Sequence, residues 1–169
     1  MDAVELRAMQ APLKERYKTD PAAAVITLKA KGSIDHDNIA CKVETGRALA
    51  MAGLHPATGG SGLELCSGDM LLEALVACAG VTLKSVATAV EIPLTSGHVI
   101  AEGDLDFRGT LGVDKEAPVG FAEIRLRFEV ENAAPQYKLD LLLKLTERYC
   151  VVYQTIKNGP KVSVTMKRV

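Results

Sequence analysis

Two cysteines are the side chains of this sequence best suited to carry out chemistry. Cys78 lies in the run ALVACAGVTL, and Cys150 lies in LTERYCVVYQTI, 72 positions later. If the two thiols meet in the folded protein, one thiolate could attack a peroxide oxygen and become a sulfenic acid. The second thiol could condense with it to a disulfide, which an external dithiol must then reduce. The pair would therefore be suited to thiol peroxidase chemistry, provided that the fold brings the two sulfurs together.

A purely structural role is the competing interpretation of Cys78. A buried cysteine packs as a small hydrophobic side chain, and composition and periodicity alone favour Cys78 as part of the core. Burial in an apolar site also raises a thiol pKa, which opposes reactivity. A reactive Cys78 would need a nearby cation to stabilise its thiolate.

The remaining cysteines and the histidines give weaker signals. Cys41 lies on the apolar face of a predicted strand and is interpreted as core, whereas Cys66 lies in a loop and could compete as a third thiol. His36, His55 and His98 are scattered and show no HxxxH or CxxC partner, so we expect no metal site. The sequence has no GxSxG elbow and no phosphate-binding GxxxxGK[ST] or GxGxxG loop, and it implies no cofactor.

Cys78 lies near the middle of a predicted helix, Gly68–Glu91, around which the other elements are arranged. Apolar residues cover every side of this helix, and its charges lie towards the two ends. A helix that is apolar all round is normally buried in a core. Its charged ends argue against a membrane span.

The other predicted elements surround this helix. Helices are predicted over Ala3–Tyr17, with a kink or break at Pro12, and over Pro135–Tyr149, with Cys150–Ile156 either continuing it or starting a new helix. Alternation predicts strands over Val25–Lys31, Ile39–Glu44, Ala48–Met51, Val99–Thr110, Phe121–Val130 and Lys161–Lys167. This order predicts an α+β fold with antiparallel hairpins around a long central helix. We expect one domain over residues 1–169, with a helical extension at about 1–20.

The charge balance and the composition limit the kinds of binding partner and the cellular compartment that we expect. The chain has 20 Lys and Arg against 21 Asp and Glu, and this balance argues against nucleic acid as a partner. No signal peptide or membrane segment is predicted, so we expect a cytoplasmic protein whose four cysteines stay reduced or cycle.

The run GGSGLELCSGDMLLEALVACAGVTLKSVA and the later run ERYCVVYQTI together resemble the OsmC/Ohr family. In that family a Gly-rich loop and an acidic residue lead into a Leu- and Ala-rich helix bearing the first cysteine, and a second cysteine follows a late helix. The resemblance covers Val25 to Val169. It implies an intertwined homodimer in which sheets wrap two central helices, and a peroxidase acting on organic hydroperoxides or hydrogen peroxide. It also implies that Cys78 is the peroxidatic thiol and Cys150 the resolving thiol.

The resemblance assigns two further residues and shows three departures. Asp69 stands where the family commonly carries a Glu that helps to orient a catalytic Arg. Arg47 is our candidate for that Arg, because no other Arg lies between Tyr17 and Cys78, with Lys29, Lys31 and Lys42 as alternatives. Ser67 and Val151 stand where family members often have Pro. The third departure is that no position of this sequence clearly matches the catalytic Arg of the family. The missing Pro residues and the unplaced Arg motivate a second hypothesis, a non-catalytic dimer of the same fold that binds an apolar small molecule between its central helices.

Overall fold

The computed structural model of the chain describes residues 2–20, 31–34, 40–44, 49–112 and 114–168. The helices are α1 (Ala3–Thr19), α2 (Ser67–Ala89), α3 (Phe107–Thr110), α4 (Gln136–Tyr149) and α5 (Val151–Asn158), with a 3₁₀ turn at Pro56–Thr58. The strands are β1 (Lys31–Ile34), β2 (Ala40–Glu44), β3 (Leu49–Gly53), β4 (Leu65–Cys66), β5 (Ser96–Leu105) and β6 (Phe121–Glu131). The predicted α+β class is confirmed.

The described strands form two sheets. In the first, β1, β2 and β3 pair antiparallel in chain order, and the short β4 joins β3 in parallel. In the second, β5 and β6 form a long antiparallel pair in which His98 lies opposite Glu129. Their inward residues are mostly apolar and their outward residues mostly charged, so this pair has one face towards the helices and one towards solvent.

Helix α2 packs against elements from both ends of the described chain. It contacts α1, α4, α5 and β5. Its buried residues, Leu75, Ala79, Leu83 and Ala87, recur every four positions and form one stripe. Leu83 and Ala87 join Ile92 and Leu142 of α4 in a continuous core cluster. Helix α2 is thus the central helix that the sequence predicts.

The single chain leaves another side of α2 uncovered. Val81 is 72% exposed and Leu71 is 40% exposed. The prediction that every side is buried therefore does not hold within one chain, because the contacting elements cover only one face. By length and composition alone, α2 would also qualify to cross a membrane. Its contacts with α1, α4, α5 and β5 are those of a core helix, in agreement with the sequence prediction.

Cys150 separates α4 from α5, which settles the alternative left open by the sequence. Its backbone is extended, at φ −73° and ψ 107°, so the helix stops and a new one starts. The Cys150 N–H donates the last bond of α4, to the Thr146 carbonyl at 2.9 Å. The Cys150 carbonyl accepts the first bond of α5, from the Gln154 N–H at 2.9 Å.

Three sequence predictions differ from the structure. Helix α1 continues through Pro12 to Thr19, so the break that was one of the two alternatives at Pro12 does not occur. The strand predicted to reach Thr110 ends at Leu105, because the Asp106 carboxylate accepts the Arg108 N–H and starts α3.

The third error is the closing strand predicted over Lys161–Lys167. The structure describes this segment without strand pairing, and its apolar side chains Val162, Val164 and Met166 are exposed. Alternation marks a segment able to pair, but a strand also needs a neighbour to bond, and none of the described strands lies beside it. Of the predicted strand Val25–Lys31, all but Lys31 lies outside the described residues.

Candidate active site

The fold brings Cys78 and Cys150 together. Cys78 projects from the middle of α2, which packs against α5, and Cys150 lies at the residue between α4 and α5. Both are free thiols, and they lie close enough for each to shift the pKa of the other. Cys78 is partly buried, whereas Cys150 is only 1% exposed. The two sulfurs are therefore placed as neighbours despite their separation in sequence.

The first backbone amides of α5 also lie near the Cys78 sulfur. The amides of Val151 and Val152, together with the Thr82 hydroxyl one turn along α2, lower the pKa of the Cys78 thiol. The first N–H groups of a helix have no acceptor within the helix, and the helix dipole favours negative charge at that end. The start of α5 thus forms a set of donors suited to a thiolate.

These contacts separate the pKa values of the two thiols. Burial raises the pKa of Cys78, but the hydrogen bonds from the Val152 amide, the Cys150 thiol and the Val151 amide outweigh it and leave the pKa below its ordinary value. Burial raises the pKa of Cys150, and the bond to Cys78 and the negative charge there raise it further, against the opposing Tyr153 amide. The arrangement favours a thiolate at Cys78 and a protonated thiol at Cys150.

The structure does not place Asp69 beside this pair. Asp69 lies in the first turn of α2 and is exposed, and nine positions place it about half a turn out of phase with Cys78. It instead lines a cavity of about 340 Å³ with His55, Cys66 and Asp104. Arg47 lies outside the described residues.

The sequence reasoning looked for a cation beside Cys78 and missed the backbone donors. The described groups that lower the Cys78 pKa are amides, a thiol and a hydroxyl. A signal was available, because a helix starting directly after Cys150 would leave its first N–H groups unpaired. Which sulfur those groups face depends on how α5 packs on α2, which no local pattern encodes.

A largely apolar cavity of about 540 Å³ lies between β6 and the helices. Its walls include Leu75 of α2, Phe128 of β6 and Leu143 of α4. Glu147 and Tyr153, which flank Cys150 in the chain, also line it, although Cys78 does not. The cavity therefore reaches the residues around the thiol pair without containing the more acidic thiol.

The other candidate ligands lie apart. In the described ranges, no three His, Cys, Asp or Glu side chains come together in a group that could hold a metal ion. Cys66 lies at the start of α2 with Asp69, in the smaller cavity. The side chain of Cys41 lies outside what the structure describes.

Comparison with known proteins supplies the family context. The sequence model of the family described as OsmC-like protein matches residues 59–165, which include both Cys78 and Cys150. No curated protein matches the sequence.

Solved structures with the same fold are similar at low identity. An OsmC-like protein from Mycoplasma pneumoniae has a TM-score of 0.65 at 16% identity, covering 79% of this chain and 89% of its own. An organic hydroperoxide resistance protein OsmC from Legionella pneumophila has a TM-score of 0.61 at 16% identity, covering 80% and 92%. An organic hydroperoxide resistance protein from Elizabethkingia anophelis has a TM-score of 0.62 at 15% identity, covering 80% and 91%. At these identities the likeness establishes the fold.

Proposed function

Since this chain belongs to the OsmC-like protein family, we propose that it is a cysteine-based peroxidase that reduces organic hydroperoxides or hydrogen peroxide. The observation that carries the proposal is the contact between the Cys78 and Cys150 thiols, with the lowered pKa on Cys78 alone. The names of the Legionella and Elizabethkingia structures, both organic hydroperoxide resistance proteins, support the same substrate class.

In the proposed mechanism each sulfur carries out its own step. The Cys78 thiolate attacks the terminal oxygen of the hydroperoxide, an S–O bond forms, the O–O bond breaks, and the alkoxide takes a proton and leaves as an alcohol. With hydrogen peroxide the leaving product is water. Cys78 is then a sulfenic acid, and Cys150 lies within reach of it.

The second step closes the disulfide. The Cys150 sulfur attacks the Cys78 sulfenic sulfur, the S–O bond breaks, and the Cys150 proton leaves with the hydroxide as water. The two cysteines have together lost the two electrons gained by the peroxide. An external dithiol then reduces the Cys78–Cys150 disulfide by two thiol exchanges and is itself oxidised.

The proposal also includes a homodimer and a cytoplasmic location. It takes Arg47 as the predicted cation near Cys78 and Asp69 as the carboxylate that orients Arg47. Because Asp69 lies away from Cys78 in the single chain, that role requires the Arg47 side chain to reach from Asp69 to Cys78. Replacing Arg47 by Lys would test whether a guanidinium is needed beyond the α5 amides.

Stoichiometric oxidation tests the function directly. Reduced protein is titrated with cumene hydroperoxide, and disulfides are mapped by mass spectrometry. We expect loss of one hydroperoxide per chain and a Cys78–Cys150 link. Cys78→Ser should abolish the loss, Cys150→Ser should leave a trappable sulfenic acid at Cys78, and Cys66→Ser should behave as wild type. Failure to consume hydroperoxide, with no Cys78–Cys150 link, would refute the proposal.

A second candidate function is binding of an apolar small molecule without catalysis. The observation favouring it is the 540 Å³ cavity, which is largely apolar and not lined by Cys78. This hypothesis expects Cys78→Ser to bind a fluorescent fatty acid as well as wild type does. It also expects sluggish alkylation of both thiols at neutral pH, so rapid alkylation of Cys78 would exclude it.

A further inference from the structure

We propose that the external dithiol attacks the sulfur of Cys78, and not that of Cys150, when it reduces the disulfide between them. The inference rests on the proposed function for the existence of that disulfide. Its own evidence is the packing of α4 on α2 and the burial of Cys150, which together leave only one of the two cysteines within reach of solvent.

The packing of α4 on α2 brings the end of α4 to the level of Cys78. Near the middle of α4, Leu142 belongs to the same core cluster as Leu83. Further along α4, Glu147 lines one cavity with Leu75. As the chain advances along α4, its neighbours therefore move back along α2, so the two helices run antiparallel. The residue that follows α4 thus lies beside the turn of α2 that carries Cys78.

Cys150 is covered by its own chain. It is 1% exposed and continues a buried stripe of α4 that includes Leu142 and Thr146, at intervals of four positions. Its backbone N–H and carbonyl are bonded to Thr146 and Gln154, each at 2.9 Å. A second copy packed on the free side of α2 adds cover to this region and removes none.

Cys78 is half-buried, and the face of α2 on which it lies is open. Ala74 and Val81 lie one turn before and one turn after it, and both are exposed. Positions four before and three after a residue share its face of a helix. A thiolate that approaches from solvent therefore meets Cys78 first.

Leaving-group chemistry alone favours the opposite direction. The pKa of Cys78 is lowered and that of Cys150 is raised, so Cys78 is the better leaving group, and it would leave after attack at Cys150. Access outweighs this preference, because a thiolate must touch the sulfur that it attacks. A residue that is 1% exposed is reached only after the helices open locally.

The reduction then takes two balanced steps. One thiolate of the dithiol attacks Cys78, the new S–S bond forms, the old one breaks, and Cys150 leaves as a thiolate that takes a proton. The second thiolate of the dithiol attacks the reductant's own sulfur in this mixed disulfide. The reductant closes into a cyclic disulfide, Cys78 leaves as a thiolate, and two electrons have passed to the cysteines. Hydroperoxide and reductant thus react in turn at the same sulfur.

Trapping the mixed disulfide tests the site of attack. The disulfide is formed with diamide, so that no hydroperoxide is needed. The oxidised full chain is mixed briefly with 2-mercaptoethanol, quenched in denaturant with excess N-ethylmaleimide, and mapped by peptide mass spectrometry. We expect the mercaptoethanol adduct on Cys78 and the maleimide on Cys150, and the same result in Cys66→Ser. An adduct on Cys150 at the earliest times, or no Cys78–Cys150 disulfide after diamide, would overturn the inference.

The reverse reaction offers a matched pair of variants. Reduced Cys150→Ser and Cys78→Ser each keep one thiol of the pair, and both are treated with hydroxyethyl disulfide. We expect the adduct to form on Cys78 in the first variant and at least about tenfold more slowly on Cys150 in the second, because Cys150 reacts only through local opening. Equal rates at the two cysteines would count against the inference, and the trapping result in the wild type does not depend on how these variants fold.

The outcome is separable from the peroxidase activity. A wild-type protein that consumes no hydroperoxide but takes the adduct on Cys78 would refute the peroxidase and leave this inference standing. A protein that consumes hydroperoxide but takes the adduct on Cys150 would do the reverse.

Discussion

At the scale of single residues, the two thiols differ because donors converge on one of them. Cys78 receives two amides, a hydroxyl and the Cys150 thiol, whereas Cys150 is more deeply buried and faces the charge on Cys78. These contacts favour the thiolate at Cys78 and the protonated thiol at Cys150. The difference supports the proposed roles of Cys78 as nucleophile and Cys150 as resolving thiol.

The pH dependence of Cys78 alkylation follows from this asymmetry. Only the thiolate reacts, so the rate rises with pH and levels off above the Cys78 pKa. Since that pKa is lowered, the rise should come at lower pH than for a free thiol with a pKa of about 8.5. Cys150→Ala removes one donor and should move the rise to higher pH, whereas Cys66→Ser should not. A wild-type profile matching a free thiol would contradict the assignment.

At the scale of elements, two glycines differ in the space that surrounds them. Gly80 of α2 packs towards β5, where an added Cβ would lie 3.5 Å from Val99 Cγ2, an ordinary contact. Gly103 of β5 lies under the Phe121 ring, where an added Cβ would lie 2.5 Å from Cε1. The helix thus has room for a methyl group that the strand pair lacks.

The two alanine variants should therefore change stability in opposite directions. Gly80→Ala should raise the free energy of unfolding by about 0.5–1 kcal/mol, because alanine loses less backbone entropy within a helix. Gly103→Ala should lower it by about 1–3 kcal/mol, because the Phe121 ring must move. Urea unfolding followed by circular dichroism measures both. A destabilised Gly80→Ala would show that α2 lies closer to β5 than the structure has it.

At the scale of the whole molecule, two apolar surfaces are exposed among the residues that the structure describes. One is the side of α2 that carries Val81, and the other is the C-terminal segment with Val162, Val164 and Met166. Contiguous exposed apolar surface commonly marks a protein interface. A homodimer that buries the second side of α2 would complete the core that the helix composition indicates.

A charge on the exposed side of α2 should therefore weaken self-association. We expect the wild type to sediment as a dimer and Val81→Glu to shift it towards monomer, because a carboxylate would be buried without a partner. Val119→Glu makes the same change at a 66% exposed loop position and should stay dimeric. Equal sedimentation of Val81→Glu and wild type would place the interface elsewhere.

Local pattern was sufficient to predict most of the elements. A run that is apolar on every side of a helix predicted α2 to within two residues at each end, and alternation predicted the core of β6. It failed at Asp106, whose carboxylate starts a helical turn, and at Lys161–Lys167, where alternation had no described neighbour to pair with. Both failures arise where one side chain or a distant strand outweighs a regular pattern.

The sequence by itself determined that Cys78 lies on an apolar helix and that Cys150 follows a second helix, because hydrophobic periodicity is a property of neighbouring residues. Only the tertiary structure decided that their sulfurs meet and that the amides of Val151 and Val152 face Cys78. Those contacts join α2 to α5 across a long stretch of chain, and the pKa of a thiol depends on whatever donors arrive in space. No local pattern could have shown which groups those would be.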